Sequence, residues 1–488
     1  MTEKVEMNKS FDRLKWVFKH LKLESEYGKK ALFSIKPFKP GEEKELRIYF
    51  QKLDLIISAF KEKTNLFSNF NSLFMELRNI SGSLKNLTND MVLGETELFE
   101  IKNFAIIISH ILDLAKEKSI IPENLDNLDL IPIIKLLNPD KILTRSFYIH
   151  ESWSENLQSI REEKKALEAK ILSAEDSQVR DRLRAERAVL VSKEKDEELN
   201  ARKYLSQELR KYEEAIRLSV DNIGAFELLL AKAELAVSNK CNVPIIYDFD
   251  SDSQFILEGA IEPEIAENLK KQNKTFTPVS IKLQRGVTLL TGANMGGKSV
   301  SLRTIALNAE LARFGFLPFA DNIALKIPEF IQVISGDLQD SNSGLSSFGA
   351  EVKELCSLLK KVDGGCGLVL CDELARSTNP YEGSRFVQAL SEKLQSSNSY
   401  GIIATHYDGI KTAGAAYYQV VGLKNLLKGN LENNEFSQLD LSELMDYHLE
   451  KVSENSNVPH DALKIATILG LPKDFIESLK KYYDNSIN

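Results

Sequence analysis

Apolar residues in the first part of the chain recur at spacings of three and four positions. The blocks FDRLKWVFKHLKL and EEKELRIYFQKLDLIISAFKEK, within residues 10–135, follow this pattern, and proline or glycine interrupts it between blocks. The spacing places the apolar side chains on one face of an α-helix, which must be buried against a neighbour. We therefore predict a scaffold of packed helices over these residues.

The next region, residues 141–243, lacks proline and contains one glycine, Gly224. Its first apolar residues alternate at three and four with charged residues between them, which is typical of long helices packed side by side. They are Trp153, Leu157, Ile160, Leu167 and Ile171. We predict a turn or break at 172–178 and a second long helical segment over about 180–238.

Short runs rich in β-formers follow after residue 241 and are separated by helical patterns. They are VTLLTG at 287–292, GLVLCDE at 367–373 and YGIIATH at 400–406. Strands that alternate with helices predict an α/β domain with a mainly parallel sheet. Towards the end of the chain, Gly470-Leu471-Pro472 predicts a turn between two helices.

Composition changes this picture little. The chain has 488 residues, of which 43% are hydrophobic and 27% charged, so we expect a soluble globular protein of about two to four domains. The four cysteines show neither CxxC spacing nor a histidine cluster, which indicates reduced, packed thiols rather than a zinc site. The charged start and the short apolar run at 104–115 indicate a cytoplasmic protein without a membrane span.

The net charge of −8 does not favour a surface coated in nucleic acid, although a local basic patch could lie within an acidic total. Arginines interleaved with acidic residues follow the predicted break at 172–178. They are Arg180, Arg182, Arg184 and Arg187. Two interpretations stay open, a tip that grips phosphates and a solvated helical face.

A phosphate-binding motif follows the first predicted strand. Gly292, Gly297, Lys298 and Ser299 satisfy G-x-x-x-x-G-K-[ST], and a helical pattern comes directly after them. Glycines let backbone N–H groups surround phosphate oxygens, and the N-terminus of the next helix favours negative charge. Lys298 should neutralise the β- and γ-phosphates, and the Ser299 hydroxyl should bind Mg²⁺.

Two further strand ends supply the remaining chemistry. Asp372 and Glu373 end the run GLVLCDE, and ligands bind at this end of strands in open α/β sheets. We expect Asp372 to contact Mg²⁺ and Glu373 to polarise the attacking water as the catalytic base. His406, at the end of the third strand, is placed to sense the γ-phosphate through a hydrogen bond.

Together these motifs resemble the MutS family of ATPases. The family P-loop TGPNMGGKST is similar to TGANMGGKSV here, LVLMDE is similar to LVLCDE, and ATHY recurs at 404–407. The family's Ser-Thr-Phe signature is matched by Ser346, Ser347 and Phe348. The resemblance implies an ATP site with Mg²⁺, whose ATP contacts are Gly292, Asn294, Met295, Gly296, Gly297, Lys298, Ser299, Val300 and, stacked on adenine, Phe276.

The resemblance also implies a fold and a dimer. The fold is an ABC-type α/β P-loop ATPase domain, preceded by an all-α core and lever domain and followed by a C-terminal helix-turn-helix. The expected divisions are a helical core at 1–140, lever helices with a reduced clamp at 141–240, the ATPase domain at 241–430 and a dimerisation element at 431–488. Ser346 and Ser347 would reach the nucleotide of a partner, in a homodimer or a heterodimer with a related chain.

Departures from the family pattern bear on the molecule that the ATPase acts on, here called its client. The helical core begins near residue 10, so we expect neither the mismatch-reading domain nor the connector, and no nuclease-type tail after the last helices. Ala293, Val300, Ala375 and Ser377 replace family residues, but none removes a group needed for hydrolysis. Two functions therefore stay open. One is an ATPase that closes on DNA of unusual structure, and the other is an ATP-driven remodelling partner of an enzyme such as an adenosylcobalamin-dependent aminomutase.

Overall fold

The structure is a computed structural model, and it describes most of the chain. The described residues are 2–62, 65–120, 125, 129–139, 148–292, 297–335, 347–407, 409–423, 445–454, 462–468 and 470–484.

Helices dominate the first half of the chain, and strands alternate with helices in the second half. The helices are α1 (Thr2–His20), α2 (Glu26–Ser34), α3 (Glu43–Glu62), α4 (Leu66–Glu76), α5 (Ser81–Thr88), α6 (Glu95–Glu117), α7 (Ile131–Leu137), α8 (Leu157–Ser173), α9 (Ser177–Arg210), α10 (Glu213–Ser238), α11 (Pro263–Lys271), α12 (Lys298–Arg313), α13 (Ser347–Gly364), α14 (Pro380–Gln395), α15 (Ala462–Ile468) and α16 (Lys473–Asp484). The strands are β1 (Ile245–Ile246), β2 (Phe255–Ala260), β3 (Val279–Leu283), β4 (Gly286–Thr291), β5 (Asn322–Leu325), β6 (Ile331–Ser335), β7 (Leu368–Asp372), β8 (Tyr400–Ala404), β9 (Ala416–Leu423) and β10 (Met445–Val452).

The chain forms two compact units. The helical unit comprises Leu21–Ile35 and Lys52–Glu234, and the α/β unit comprises Met1–His20, Lys36–Gln51 and Leu235–Asn488. Both units are therefore built from segments that are not contiguous in sequence. The division into four domains expected from the sequence is a finer one, and it stays a prediction.

In the helical unit, α8 and α9 run antiparallel as a hairpin. Arg161 in α8 contacts Glu194 and Glu198 in α9, at 3.1 and 3.0 Å. The predicted break between them is confirmed, because α8 ends at Ser173 and α9 begins at Ser177. The Asp176 side chain caps α9 by accepting a hydrogen bond from the Gln178 N–H at 2.7 Å, which is the usual role of aspartate at a helix start.

The second long segment, expected over about 180–238, is divided. The helix α9 ends at Arg210 and α10 begins at Glu213. The Lys211 and Tyr212 N–H groups each bond a carbonyl three residues back, at 3.2 and 2.9 Å, instead of the carbonyl four back. Such tight turns are common where α-helices end, and they carry no glycine or proline signal that the sequence could have shown.

In the α/β unit, the main sheet has six strands in the order β10-β9-β4-β8-β7-β6. All neighbouring pairs are parallel except β10 with β9, so the mainly parallel sheet and its three predicted strands are confirmed. A smaller sheet has the order β1-β5-β2-β3. The interior strands are buried on both faces, as expected for parallel strands covered by helices.

The first and last helices of the chain, α1 and α16, both belong to the α/β unit. The helix α1 packs on α12, with the rings of Phe11 and Phe314 6.1 Å apart. Near the other end, the predicted turn at Gly470 is confirmed between α15 and α16. Among the residues that the structure describes, no helix is long and apolar enough to cross a membrane.

Candidate active site

The P-loop connects β4 to α12. Gly292 follows β4 with φ +139°, and a side chain there would begin 3.1 Å from the Val420 Cβ. Gly297 caps α12 in the left-handed conformation, with φ +84°. Both positions require glycine, one for close approach and one for its backbone angle. Asn294, Met295 and Gly296, expected to contact ATP, lie outside the described residues.

Lys298 begins α12 and points back across the loop. Its side chain is 4% exposed, and its Nζ donates to the Gly292 carbonyl at 2.8 Å and lies 3.9 Å from Glu373 Oε1. Burial lowers the pKa of Lys298, and the negative charges of Glu373 and Asp372 oppose that shift. The lysine therefore lies between the loop and Glu373, the predicted catalytic base. Ser299 and Val300 follow in the first turn of α12, with Ser299 exposed.

The two acids occupy the end of β7. Asp372 is the last residue of the strand, and the Glu373 N–H donates to the Ala404 carbonyl of β8 at 3.0 Å. Glu373 adopts φ +50°, which turns its side chain out of the strand direction, and its Oε2 accepts a hydrogen bond from Arg376 at 2.9 Å. The second carboxylate oxygen thereby faces the lysine side of the site.

Strand register brings the three motifs to one edge of the sheet. Ala404 of β8 is aligned with both Leu290 of β4 and Asp372 of β7. The Thr405 N–H donates to the Leu290 carbonyl at 3.0 Å, so the chain stays beside β4 as it approaches His406. His406 is exposed at this edge, with its ring 4.4 Å from that of Tyr407.

A cavity of about 540 Å³ opens beside the start of α12. Phe276, Gly297 and Val300 line it, so the structure brings the predicted adenine-stacking residue next to the P-loop. Met445 and Tyr447 of β10 and Ile265 and Leu269 of α11 also line the cavity. The sequence offered no signal for these four residues, because they lie on elements without a nucleotide motif and are adjacent to the loop only through the fold.

The position of the predicted signature residues relative to this cavity stays a prediction. Ser346 lies outside the described residues, and Ser347 is the first residue of α13. Glu351 is not among the predicted site residues; it is a buried residue of α13 whose carboxylate accepts a hydrogen bond from the Ala375 N–H at 2.9 Å. Ala375 follows the acids in sequence, with φ +59°.

The arginines after the predicted break belong to the hairpin of α8 and α9. All four contact acceptors within the hairpin. The contacts are Arg180 to the Ala174 carbonyl at 2.7 Å, Arg182 to Glu186 at 3.3 Å, Arg184 to Asp181 at 3.4 Å and Arg187 to Glu168 at 2.7 Å. Residues 157–210 contain 13 basic and 12 acidic residues. The described hairpin therefore carries mixed charge rather than a basic stripe.

The described residues fit a nucleoside triphosphate with its magnesium ion. A left-handed glycine at a helix N-terminus directs backbone N–H groups outward, and Lys298 is held where it can meet phosphate charge. Ser299 and Asp372 supply the hydroxyl and carboxylate oxygens that Mg²⁺ prefers. The cavity lined by Phe276 and Tyr447 adjoins the start of α12, because Gly297 and Val300 line it too.

Comparison with known proteins agrees with this geometry. The family model for MutS domain V matches residues 288–485. The chain is 30% identical over 296 residues to the Endonuclease MutS2 of Fusobacterium nucleatum, covering 60% of this chain and 35% of the relative. It is 31% identical over 268 residues to that of Thermomicrobium roseum, covering 52% of this chain and 31% of the relative.

A longer match extends over the helical region. The Endonuclease MutS2 of Lactococcus lactis subsp. cremoris is 26% identical over 444 residues, covering 89% of this chain and 50% of the relative. The chain thus spans half or less of the length of these curated relatives. The matched residues 288–485 include the P-loop, Asp372 and Glu373, and His406. Residues 288–485 are therefore identified as a MutS domain V, and the chain resembles the MutS2 proteins beyond that domain as well.

Proposed function

We propose that this chain is a Mg²⁺-dependent ATPase that hydrolyses ATP to ADP and phosphate. The observation that carries the proposal is the position of Lys298, buried between the Gly292 carbonyl and Glu373 at the edge where β4, β7 and β8 end. A cation, a carboxylate and a helix N-terminus at one sheet edge are the parts that phosphoryl transfer to water requires.

Each residue has a distinct part in the proposed reaction. Lys298 and the N-terminus of α12 would bind the β- and γ-phosphates, and Phe276 and Tyr447 would hold the adenine and ribose side in the cavity. Ser299 and Asp372 would hold Mg²⁺, which supplies positive charge to the phosphates. Glu373 would accept a proton from the attacking water. As the water oxygen bonds to the γ-phosphorus, the bond between that phosphorus and the leaving ADP oxygen would break. His406 would donate a hydrogen bond to the γ-phosphate.

We also propose that two chains form the working ATPase. In the ABC-type arrangement, Ser346 and Ser347 would close over the γ-phosphate of a partner chain, and α15 with α16 would hold the dimer. The support is that Ser346, Ser347 and Phe348 match the Ser-Thr-Phe signature of the family.

The client favoured by the family is DNA. The relatives carry the name Endonuclease MutS2, which denotes an enzyme that cuts nucleic acid, and they share the helical region as well as domain V. We propose that ATP binding closes the dimer on DNA of unusual structure, in repair or recombination, without reading mismatches.

A second candidate keeps the same ATPase and replaces DNA by a protein client, such as an adenosylcobalamin-dependent aminomutase that needs remodelling. The observation that favours it is the near balance of charge on the hairpin, whose arginines are engaged within it. Binding to the DNA backbone requires cations that are free to displace counterions from phosphates.

Steady-state turnover of MgATP tests the ATPase proposal. Lys298→Ala should abolish nucleotide binding, because it removes the buried cation, whereas Glu373→Gln should bind ATP and lower kcat by about 10²- to 10⁴-fold. Lys282→Ala, which removes an exposed lysine of β3 that pairs with Glu258 of β2, is the matched control and should keep wild-type turnover. Normal turnover by Glu373→Gln would contradict the assignment of the base.

The dimer and the client need separate tests. A mixture of Ser346→Arg with Lys298→Ala chains leaves at most one working site per heterodimer, so full wild-type turnover would exclude the shared site. For the client, turnover is measured at physiological salt with duplex, branched or mismatched DNA and, separately, with an aminomutase. A response to DNA alone supports the first candidate, and a response to the protein alone supports the second.

A further inference from the structure

The loop that follows Glu373 has an unusual backbone. Glu373 and Ala375 both adopt left-handed conformations, with φ +50° and +59°, although neither is glycine. For a residue with a Cβ, this conformation costs energy and persists only where the surroundings enforce it. The loop must therefore be held by specific contacts.

Those contacts are hydrogen bonds to both the N–H and the carbonyl of Ala375. The buried carboxylate of Glu351 accepts the Ala375 N–H at 2.9 Å with one oxygen and the Ser377 hydroxyl at 3.2 Å with the other. From the opposite side, the Tyr407 hydroxyl donates to the Ala375 carbonyl at 3.0 Å. Ala375 itself is buried, so water cannot replace these partners.

The two partners come from elements that carry other site residues. Glu351 lies in the second turn of α13, four residues after Ser347, and Tyr407 directly follows His406. A side chain at Gly383 of α14 would overlap the Tyr407 hydroxyl, so close packing fixes the position of that ring. The loop is thus clamped between the helix that begins with the signature residues and the strand end that carries the phosphate sensor.

We propose that Glu351 and Tyr407 are positioning residues that hold the catalytic base Glu373 in its working orientation through the backbone of Ala375. The inference rests on the proposed role of Glu373 in hydrolysis. Without the clamp, Ala375 would relax towards right-handed or extended angles and would rotate the peptide chain that starts at Glu373.

A consequence for regulation follows from the position of Glu351. A shift of α13, the helix expected to meet a partner's nucleotide, would reach Glu373 through one carboxylate within the same chain. Glu351 therefore connects the residues that serve the partner's site with the base that serves its own.

Kinetics of the full chain with MgATP test the proposal. Glu351→Gln keeps one acceptor oxygen but cannot accept two hydrogen bonds in the same geometry, and Tyr407→Phe removes only the hydroxyl. Each should lower kcat by about tenfold or more through misplacement of the base, while KM for ATP changes by less than about twofold. A change in KM alone, or unchanged kcat in both variants, would overturn the proposal.

Two matched controls separate positioning from lost stability. Tyr400→Phe removes a buried hydroxyl that donates to the Ser253 carbonyl at 2.6 Å, at the opposite end of β8. Glu354→Gln alters a carboxylate of α13 that pairs with Lys9 at the surface. Both controls should keep kcat, and Tyr400→Phe should lower the melting temperature about as much as Tyr407→Phe.

Amide hydrogen exchange at residues 373–378 measures how often the loop opens, and it does not depend on turnover. Tyr407→Phe should raise exchange there by about tenfold, although it removes no amide partner directly. Unchanged exchange together with unchanged kcat refutes the clamp. If exchange rises but the wild type hydrolyses no ATP, the clamp stands and the ATPase proposal fails.

Discussion

Buried charges at the residue scale differ in what compensates them. Glu227 of α10, in the helical unit, accepts hydrogen bonds from the N–H groups of Glu24 and Ser25 and from the Ser25 hydroxyl. These donors surround the start of α2, where a negative charge is favourable. Burial still raises the pKa of Glu227, whereas its hydrogen bonds lower it. The carboxylate therefore serves as a second cap for α2.

Lys232 of the same helix is buried, and burial lowers its pKa to about 7. An unfolded lysine titrates near pH ~10.4. Between these values the unfolded state holds a proton that the folded state lacks, so the free energy of unfolding rises with pH by up to about 1.4 kcal/mol per unit. Below pH 7 both states are protonated, and the full cost of burying the charge is present.

We therefore expect Lys232→Met to raise the free energy of unfolding most at pH 6 and progressively less towards pH 10. Urea unfolding at several pH values measures the difference between variant and wild type. The control is Lys203→Met, which replaces an exposed lysine of α9 and should show no such trend. A gain from Lys232→Met that is constant with pH would contradict the assignment.

At the scale of elements, glycine decides how α2 meets α10. A Cβ at Gly224 would lie 2.5 Å from the Tyr27 carbonyl oxygen, which is backbone and cannot move aside. A Cβ at Gly28 would likewise lie 2.5 Å from the Glu227 carboxylate. The single glycine of the long helical region thus marks a close helix crossing rather than a break.

Gly224→Ala should lower the free energy of unfolding by about 1–3 kcal/mol, because the added methyl group forces the two helices apart. Thermal or urea denaturation of the full chain provides the measurement. Gly82 is exposed on α5, and a Cβ there would meet no atom within 4 Å. Gly82→Ala should therefore raise the free energy of unfolding by about 0.5–1 kcal/mol. Equal effects at both glycines would argue against the close crossing.

The elements that the sequence predicts best are those with local signals. The three strands, the loop glycines and the turn at Gly470 follow from apolar runs and from residues with special backbone angles. Met445 and Tyr447 could not be predicted as cavity walls, since β10 joins the sheet beside β9 about 150 residues after the P-loop. The role of Glu351 could not be predicted, because an acidic residue in the first turns of a helix is expected to be exposed unless its hydrogen-bond partners are known.

At the scale of the whole molecule, the α/β unit includes the first residues of the chain. Trp16 of α1 donates to Glu267 of α11 at 3.1 Å, and its ring lies 5.9 Å from that of Phe319. Arg13 contacts the fully buried Glu310 of the P-loop helix α12 at 3.2 Å. The matched domain V, residues 288–485, therefore does not include α1, the helix that packs on α12.

Arg13→Met should lower the free energy of unfolding by about 3 kcal/mol, because it leaves the Glu310 charge buried without its cation. Adding Glu310→Met in the same chain should recover most of that loss, since two apolar residues then replace the pair. Lys9→Met breaks the more exposed pair with Glu354 and should cost less than about 1 kcal/mol. Equal losses in Arg13→Met and Lys9→Met would show that the buried pair is not special.

The discontinuous α/β unit also has a consequence for synthesis on the ribosome. The aromatic face of α1 emerges before its partners Phe314, Phe316 and Phe319, which are translated roughly 300 residues later. At translation rates of about 5–20 residues per second, α1 waits on the order of 15 to 60 s for them. During that interval its apolar stripe is exposed to other nascent chains, so a chaperone that binds near the ribosomal exit should raise the yield of folded protein.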